Sequence, residues 1–141
     1  MFKTLIVEDS AFYRQLLNEA LHSRFPSMDI SEAKDGEEAL KKVDALSPDL
    51  VFMDIKMPGE SGLEITKKIK NLHPDTILII LTAYDIPEYR EAAYQNHADY
   101  FLSKGSTSRE DILTLVESIL SGRGLNSGGS GSGDPKGVRV S

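Results

Sequence analysis

Short apolar runs alternate with longer amphipathic stretches along the first 124 residues. KTLIV (3–7), DLVFM (49–53) and TILIIL (76–81) are nearly continuous in apolar residues, the pattern of strands buried on both faces of a parallel sheet. DISEA (29–33) and DYFLS (99–103) read as weaker strands. The stretches between carry the helical period. It is clearest in the last, where Ile112, Leu115, Val116, Ile119 and Leu120 form one i, i+3, i+4, i+7, i+8 stripe, and Leu16, Leu17, Ala20 and Leu21 are expected to bury the same kind of stripe in the first. Asp35 with Glu38, Ser61 with Glu64 and Ser108 with Asp111 match helix-capping pairs, in which the first side chain accepts an orphan amide and the acid sits at the positive helix end. Pro26, Pro48 and Pro74 stop helices, while Pro58 falls in a loop and Pro87 in an opening turn. The order βαβαβαβαβα predicts an α/β fold with right-handed crossovers and helices on both faces of a mainly parallel sheet. Of the five helices, the one near 86–97 offers mainly Tyr89, Ala92, Ala93 and Tyr94 for burial and is expected to be the least firmly anchored.

A length of 141 residues with 40% hydrophobic positions suits one domain with a real core. Most of the 11 glycines lie beyond Ser121, and NSGGSGSG (126–133) has nothing apolar to bury. The chain is therefore divided into a folded domain, 1–124, and a flexible Gly/Ser-rich tail, 125–141, which is either a linker to an output domain or an appended segment. Its closing DPKGVRVS leaves open the start of a further strand. Lys+Arg 16 against Asp+Glu 22 gives a net charge of -6, which argues against a direct grip on nucleic acid or an acidic membrane surface. With Cys 0 there is no disulfide framework, thiolate metal site or cysteine nucleophile. The first apolar run, broken by Glu8 and Asp9, is too short for a signal peptide or membrane span, so a cytoplasmic protein is expected.

In open α/β sheets ligands bind beyond the carboxyl ends of the strands. Those ends are polar here: Glu8 and Asp9 follow the first strand, Asp54 the third, Thr82 the fourth, and Ser103 and Lys104 the fifth. If the first and third strands are neighbours, three carboxylates meet in one pocket, where repulsion calls for a counter-charge or raised pKa values. An all-oxygen cluster without Cys or nearby His suits Mg²⁺ (or Mn²⁺) rather than Zn²⁺. Taken singly, each residue also has an ordinary reading: Glu8-Asp9 as a helix-entry cap, Asp54 as a loop cap, Lys104 as a solvated lysine, Thr82 as a strand terminator and Phe101 as a core aromatic. His22, His73 and His97 have no metal-ligand or triad spacing.

The ordered set VEDS (7–10), VFMDIKMPGESG (51–62), LTAY (81–84) and FLSK (101–104) resembles the receiver domain of two-component response regulators, over residues 2 to about 121. The resemblance implies a flavodoxin-like, doubly wound, five-stranded parallel sheet in the order 2-1-3-4-5. It implies that Asp54 is the phosphoacceptor, Glu8 and Asp9 the acidic pair that holds Mg²⁺ together with Asp54 and the Lys56 backbone carbonyl, Thr82 the switch hydroxyl, Lys104 the active-site lysine and Phe101 the aromatic that turns inward. Its implied partners are a sensor histidine kinase or phosphotransfer protein and a downstream effector or output domain. The fourth helix, fifth strand and fifth helix would form the activated, possible homodimer surface. Such a domain catalyses only its own phosphorylation and dephosphorylation and is not expected to turn over a separate substrate.

Three positions depart from the family pattern. Gly105 replaces the usual proline after the lysine, Phe101 lacks the hydroxyl of the commoner tyrosine, and Glu8 is one methylene longer than the commoner aspartate. Tyr84 and Lys56, two positions after Thr82 and Asp54, are expected to flank the path of hydrolytic water and so to set the phosphoryl lifetime. An aspartyl phosphatase would want a second Asp where Lys56 stands, and a flavin carrier would want a phosphate-cradling loop where the chain has EDSAFYR (8–14).

Overall fold

The computed structural model describes residues 1–123, so the expectation of a flexible tail, 125–141, lies outside the described residues. Within them the alternation is present as β1 (Lys3–Val7), α1 (Ala11–Arg24), β2 (Asp29–Ala33), α2 (Gly36–Leu46), β3 (Leu50–Met53), α3 (Gly62–Leu72), β4 (Ile77–Thr82), α4 (Pro87–Gln95), β5 (Tyr100–Ser103) and α5 (Arg109–Gly122). The strands make one parallel sheet in the order β2-β1-β3-β4-β5. β3, β4 and β5 each begin one residue later than the sequence pattern suggests. The residue lost from each uses its side chain to tie strand starts together. Asp49 Oδ2 accepts the Lys3 amide at 2.8 Å, Asp99 Oδ2 accepts the Leu78 amide at 2.8 Å, and the Thr76 hydroxyl donates to the Pro48 carbonyl at 2.9 Å.

Alternation along the strands divides the core in two. Ile6, Phe52, Ile79, Leu81 and Leu102 face one layer, where Leu17, Leu21, Val116 and Leu120 of α1 and α5 cover them. Leu5, Val7, Val51, Met53, Leu78, Ile80 and Phe101 face the other, covered by Val43 of α2, Ile65 and Ile69 of α3, and Ala93 of α4. Burying each large aliphatic contributes about 1.5–3 kcal/mol, so the two faces of the sheet carry much of the apolar stabilisation of the described residues. One stripe residue disagrees with the sequence reading. Leu16 is 47% exposed, because Leu17, Ala20 and Leu21 alone turn to the sheet. Leu16 instead edges a shallow groove of about 250 Å³ between α1 and α5.

The helix starts follow the capping signals with two adjustments. Ser108 and Asp111 form the full reciprocal box, and Asp35 accepts the Glu38 amide at 2.9 Å. Glu38 reaches back to the Lys34 amide rather than to that of Asp35, and Ser61 accepts the amide of Leu63 rather than that of Glu64. α4 begins at Ile86 and Pro87 with no side-chain cap, and only Ala93 is fully buried along it. It is the least anchored of the helices, as its composition implies.

Register carries the fold to its site. Val7 pairs with Met53, Met53 with Ile80, and Thr82 with Ser103, so the strands end at nearly one level. The ladder then runs one residue further: the amides of Glu8, Asp54 and Lys104 donate to Ala33, Val7 and Thr82 carbonyls at 3.0, 3.1 and 2.8 Å. The polar residues after the strands therefore stand on the sheet itself rather than on free loops.

Candidate functional site

Carboxylate oxygens of Glu8, Asp9 and Asp54 lie within 4.8 Å of one another at this edge. Asp9 is exposed, whereas Glu8 and Asp54 are only 3% and 7% exposed. Lys104 Nζ enters the group from β5, 2.6 Å from Glu8 Oε1 and 3.5 Å from Asp54 Oδ2. Glu8 is thus doubly committed, because its Oε2 accepts the Ser10 amide at 2.9 Å. Asp54 Oδ1 accepts the Ile55 amide at 2.8 Å, which leaves Oδ2 turned toward the lysine. The backbone around Asp54 is fixed by contact with the start of α3. Gly62 packs so tightly there that a Cβ would lie 1.8 Å from the Asp54 carbonyl oxygen.

Electrostatics follow from this crowding. Burial pushes the Glu8 carboxyl up, and the charge of Asp54 adds to it, against the opposing pull of the Lys104 and Ser10 hydrogen bonds. Burial alone would lower the Lys104 ammonium, but the Glu8 hydrogen bond and the charges of Asp54 and Glu8 outweigh it and hold it above the usual lysine range. Three carboxylates converge where one lysine pairs with two of them, Glu8 and Asp54, and that deficit of positive charge is what a hard divalent ion with oxygen ligands relieves. The donor set fits Mg²⁺ in kind: oxygen throughout, with Asp9 open to solvent. No histidine joins the cluster among the described residues, and His73 instead pairs with Asp44 at 3.1 Å.

The other expected residues stand around this centre. Thr82 is fully buried and its hydroxyl oxygen accepts the Tyr84 amide at 3.2 Å. Phe101 is inward, 2% exposed, with the Arg90 guanidinium of α4 over its ring at 4.6 Å. Lys56 is exposed, and its ammonium lies 5.4 Å from the Tyr84 ring and 5.5 Å from that of Tyr89. The two rings meet edge to face at 6.4 Å. Interaction with Tyr89 is the chief cause that pushes the Lys56 ammonium upward. Sequence reasoning missed Tyr13 and Arg14. Tyr13 sits with its ring centroid 4.1 Å from Lys104 Nζ, and Arg14 donates to the Glu8 carbonyl at 2.6 Å and to Glu32 at 2.8 Å. The available signal was position, since both fall in the first turn of α1, directly after the acidic pair.

A doubly wound parallel sheet with acids and a lysine converging at its carboxyl edge places this chain among the open α/β domains that bind ligands at that edge. The family model described as Response regulator receiver domain matches residues 4–117, and the chain belongs to that family, whose general function is a phosphorylation switch. It is 35% identical over 115 residues to the response regulator GacA of Pseudomonas syringae, covering 82% of this chain and 54% of that protein. It is 36% identical over 121 residues to the oxygen regulatory protein NreC of Staphylococcus haemolyticus, covering 85% of this chain and 55% of that protein. The chain thus spans about half the length of these relatives. Among solved structures, a DNA-binding response regulator of the LuxR family from Staphylococcus aureus superposes with a TM-score of 0.77 at 28% identity, over 84% of this chain and 98% of that one. A CheY-like receiver domain from Methanospirillum hungatei shares the fold with a TM-score of 0.81 at 24% identity, over 88% of this chain and 97% of that one. Among the described residues no helix is long and apolar enough to cross a membrane.

Proposed function

We propose that Asp54 takes the phosphoryl group and that the pocket around it performs the transfer. The observation that carries this reading is the meeting of Asp54 with Glu8, Asp9 and Lys104 at the sheet edge, with carboxylate oxygens within 4.8 Å and the ammonium 3.5 Å from Asp54 Oδ2. A carboxylate is a weak nucleophile, so the transfer depends on an in-line donor and on neutralised charge at the transferring oxygens. Asp54 Oδ2 attacks phosphorus, the bond from phosphorus to the donor nitrogen breaks, and the imidazole of the donor leaves with the electron pair. Lys104 lies close enough to move from Glu8 to a phosphoryl oxygen, and the Thr82 hydroxyl, once released from Tyr84, donates to another. Asp9, Asp54 and the Lys56 carbonyl would hold Mg²⁺, with Glu8 acting through Lys104 or water. When bound, the ion supplies charge neutralisation at the phosphoryl oxygens.

The donor in this reading is a sensor histidine kinase or phosphotransfer protein, and the chain acts on itself without turning over a separate substrate. The output is a population shift: the phosphoryl group binds one arrangement of Thr82, Phe101 and α4 better than the other. The sparse anchoring of α4 supports this, as does the seat of Phe101 beneath it. The α4, β5 and α5 face would then meet an effector, an output domain or a second copy of the chain. Intact-mass analysis after exposure to a small acyl phosphate tests the reading. Addition of one phosphoryl group with Mg²⁺, lost without the ion and in Asp54→Asn, is the expected result; labelling that ignores both changes would overturn it.

A further inference from the structure

Lys104 has three neighbours at its ammonium, and one of them is not an acid. Besides Glu8 at 2.6 Å and Asp54 at 3.5 Å, the Tyr13 ring stands 4.1 Å from Nζ. We propose that Tyr13 is a positioning residue for phosphoryl transfer, its ring walling the Lys104 ammonium into the space between Glu8 and Asp54. The proposal rests on the assignment of Asp54 as phosphoacceptor.

The ring is held by the same group that holds the lysine. Glu8 Oε2 accepts the Ser10 amide at 2.9 Å, and Ser10 Oγ in turn accepts the Tyr13 amide at 3.2 Å, capping α1. Glu8 therefore fixes both the ammonium, through Oε1, and the helix turn that presents the ring. On its far side Tyr13 is partly buried against the α1–α5 core layer, where it lines the same groove as Leu17 and Leu113.

A lysine has a long, freely rotating stem and a strongly hydrated head. With a carboxylate on one side and an aromatic face on another, the Lys104 side chain is only 17% exposed. The face attracts the cation without forming a directional hydrogen bond, so it restrains the ammonium while leaving it able to slide from Glu8 toward an arriving phosphoryl oxygen. An aliphatic residue in its place fills volume but offers no quadrupole. Water then competes for the ammonium, and a smaller fraction of Lys104 is aligned when the donor arrives.

The test uses the full chain with a small acyl phosphate and Mg²⁺. Tyr13→Leu is expected to lower the maximal phosphorylation rate about fivefold with the half-saturating donor concentration unchanged. Tyr13→Phe, which keeps the ring, is expected to stay near the wild-type rate. Proton NMR of the Lys104 ε-methylene supplies a readout that mere structural damage would not move: a ring-current upfield shift in wild type and Tyr13→Phe, absent in Tyr13→Leu. Should Tyr13→Leu fail to fold, Tyr13→Met serves with the same expectations. A Leu or Met variant phosphorylated at the wild-type rate, or a Phe variant as slow as Leu, overturns the proposal. A wild-type protein that takes no phosphoryl group overturns the Asp54 assignment instead, while the NMR shift still decides whether Tyr13 holds Lys104.

Discussion

The Lys104 ammonium rests on Glu8, at 2.6 Å, and only reaches toward Asp54, at 3.5 Å. The Asp54 carboxylate is thus not locked into the shorter ion pair, which Lys104 makes with Glu8. Replacing Glu8 with Gln weakens that hold, because an ion pair becomes a hydrogen bond from the ammonium to a neutral amide oxygen.

Glu8 also tilts the stability curve in an unusual direction. Its raised carboxyl means that the folded state binds this proton more tightly than the unfolded chain. The stabilisation is fully present below the unfolded value of 4.5 and is lost as pH rises through the higher folded value. Glu8→Gln stays neutral throughout, so its unfolding free energy should gain on wild type as pH rises from 4.5 through the higher folded value. Urea denaturation across that interval checks this; a difference that is flat or shrinks with pH contradicts it.

Gly62 provides a steric test of how Asp54 is held. A Cβ there would lie 1.8 Å from the Asp54 carbonyl oxygen, so the β3–α3 connection must shift to admit one. Gly62→Ala is expected to lose roughly 3 kcal/mol of stability, at the upper end of overpacking effects. Calorimetry showing a loss under about 0.5 kcal/mol would mean that the approach is not a real constraint.

In the proposed reading, the surface cluster of Lys56, Tyr84 and Tyr89 bears on the lifetime of the phosphorylated state. The Lys56 ammonium lies 5.4 Å from the Tyr84 ring, and both side chains are exposed. If Tyr84 shields the phosphoryl group from water, Tyr84→Ala is expected to shorten the acyl-phosphate half-life about threefold, equivalent to roughly 0.7 kcal/mol in the barrier. Decay followed by intact mass reads this directly, and an unchanged or longer half-life sinks it.

Arg90 links the weakest helix to the buried aromatic. Its guanidinium covers the Phe101 ring at 4.6 Å and pairs with Asp85 at 3.0 Å, while α4 has no side-chain cap. Arg90→Ala should lower global stability by less than about 1 kcal/mol, since the pair is partly exposed. Hydrogen exchange in α4 should nonetheless accelerate well beyond that in α5. Equal acceleration in both helices would deny Arg90 this local role.

The strands, the helices and their order were legible because burial on two faces writes continuous aliphatic runs, and helices write their own period. The strand starts fall one residue later than the apolar runs suggest because Asp49 and Asp99 sit at the ladder's edge, each joining it through one backbone amide and a side chain, while Thr76 bonds Pro48 through its hydroxyl. Leu16 was misread because periodicity places a residue on a helix face without saying how far the neighbouring helix reaches over it. Glu8, Asp9, Asp54, Thr82 and Lys104 could be picked out as strand-end residues, and register explains their convergence. The contact of Phe101 with Arg90 left no trace in spacing, and that of Lys104 with Tyr13 only the position of Tyr13 in the first turn after the acidic pair.

The most direct measurement is the residue that carries the phosphoryl group. After phosphorylation with a small acyl phosphate and Mg²⁺, borohydride reduction converts a phosphorylated aspartate to homoserine, which peptide mass spectrometry locates. Homoserine at position 54 and nowhere else is the expected result. Phosphoryl-dependent reduction at another carboxylate, with Asp54 recovered intact, would contradict the account at its centre.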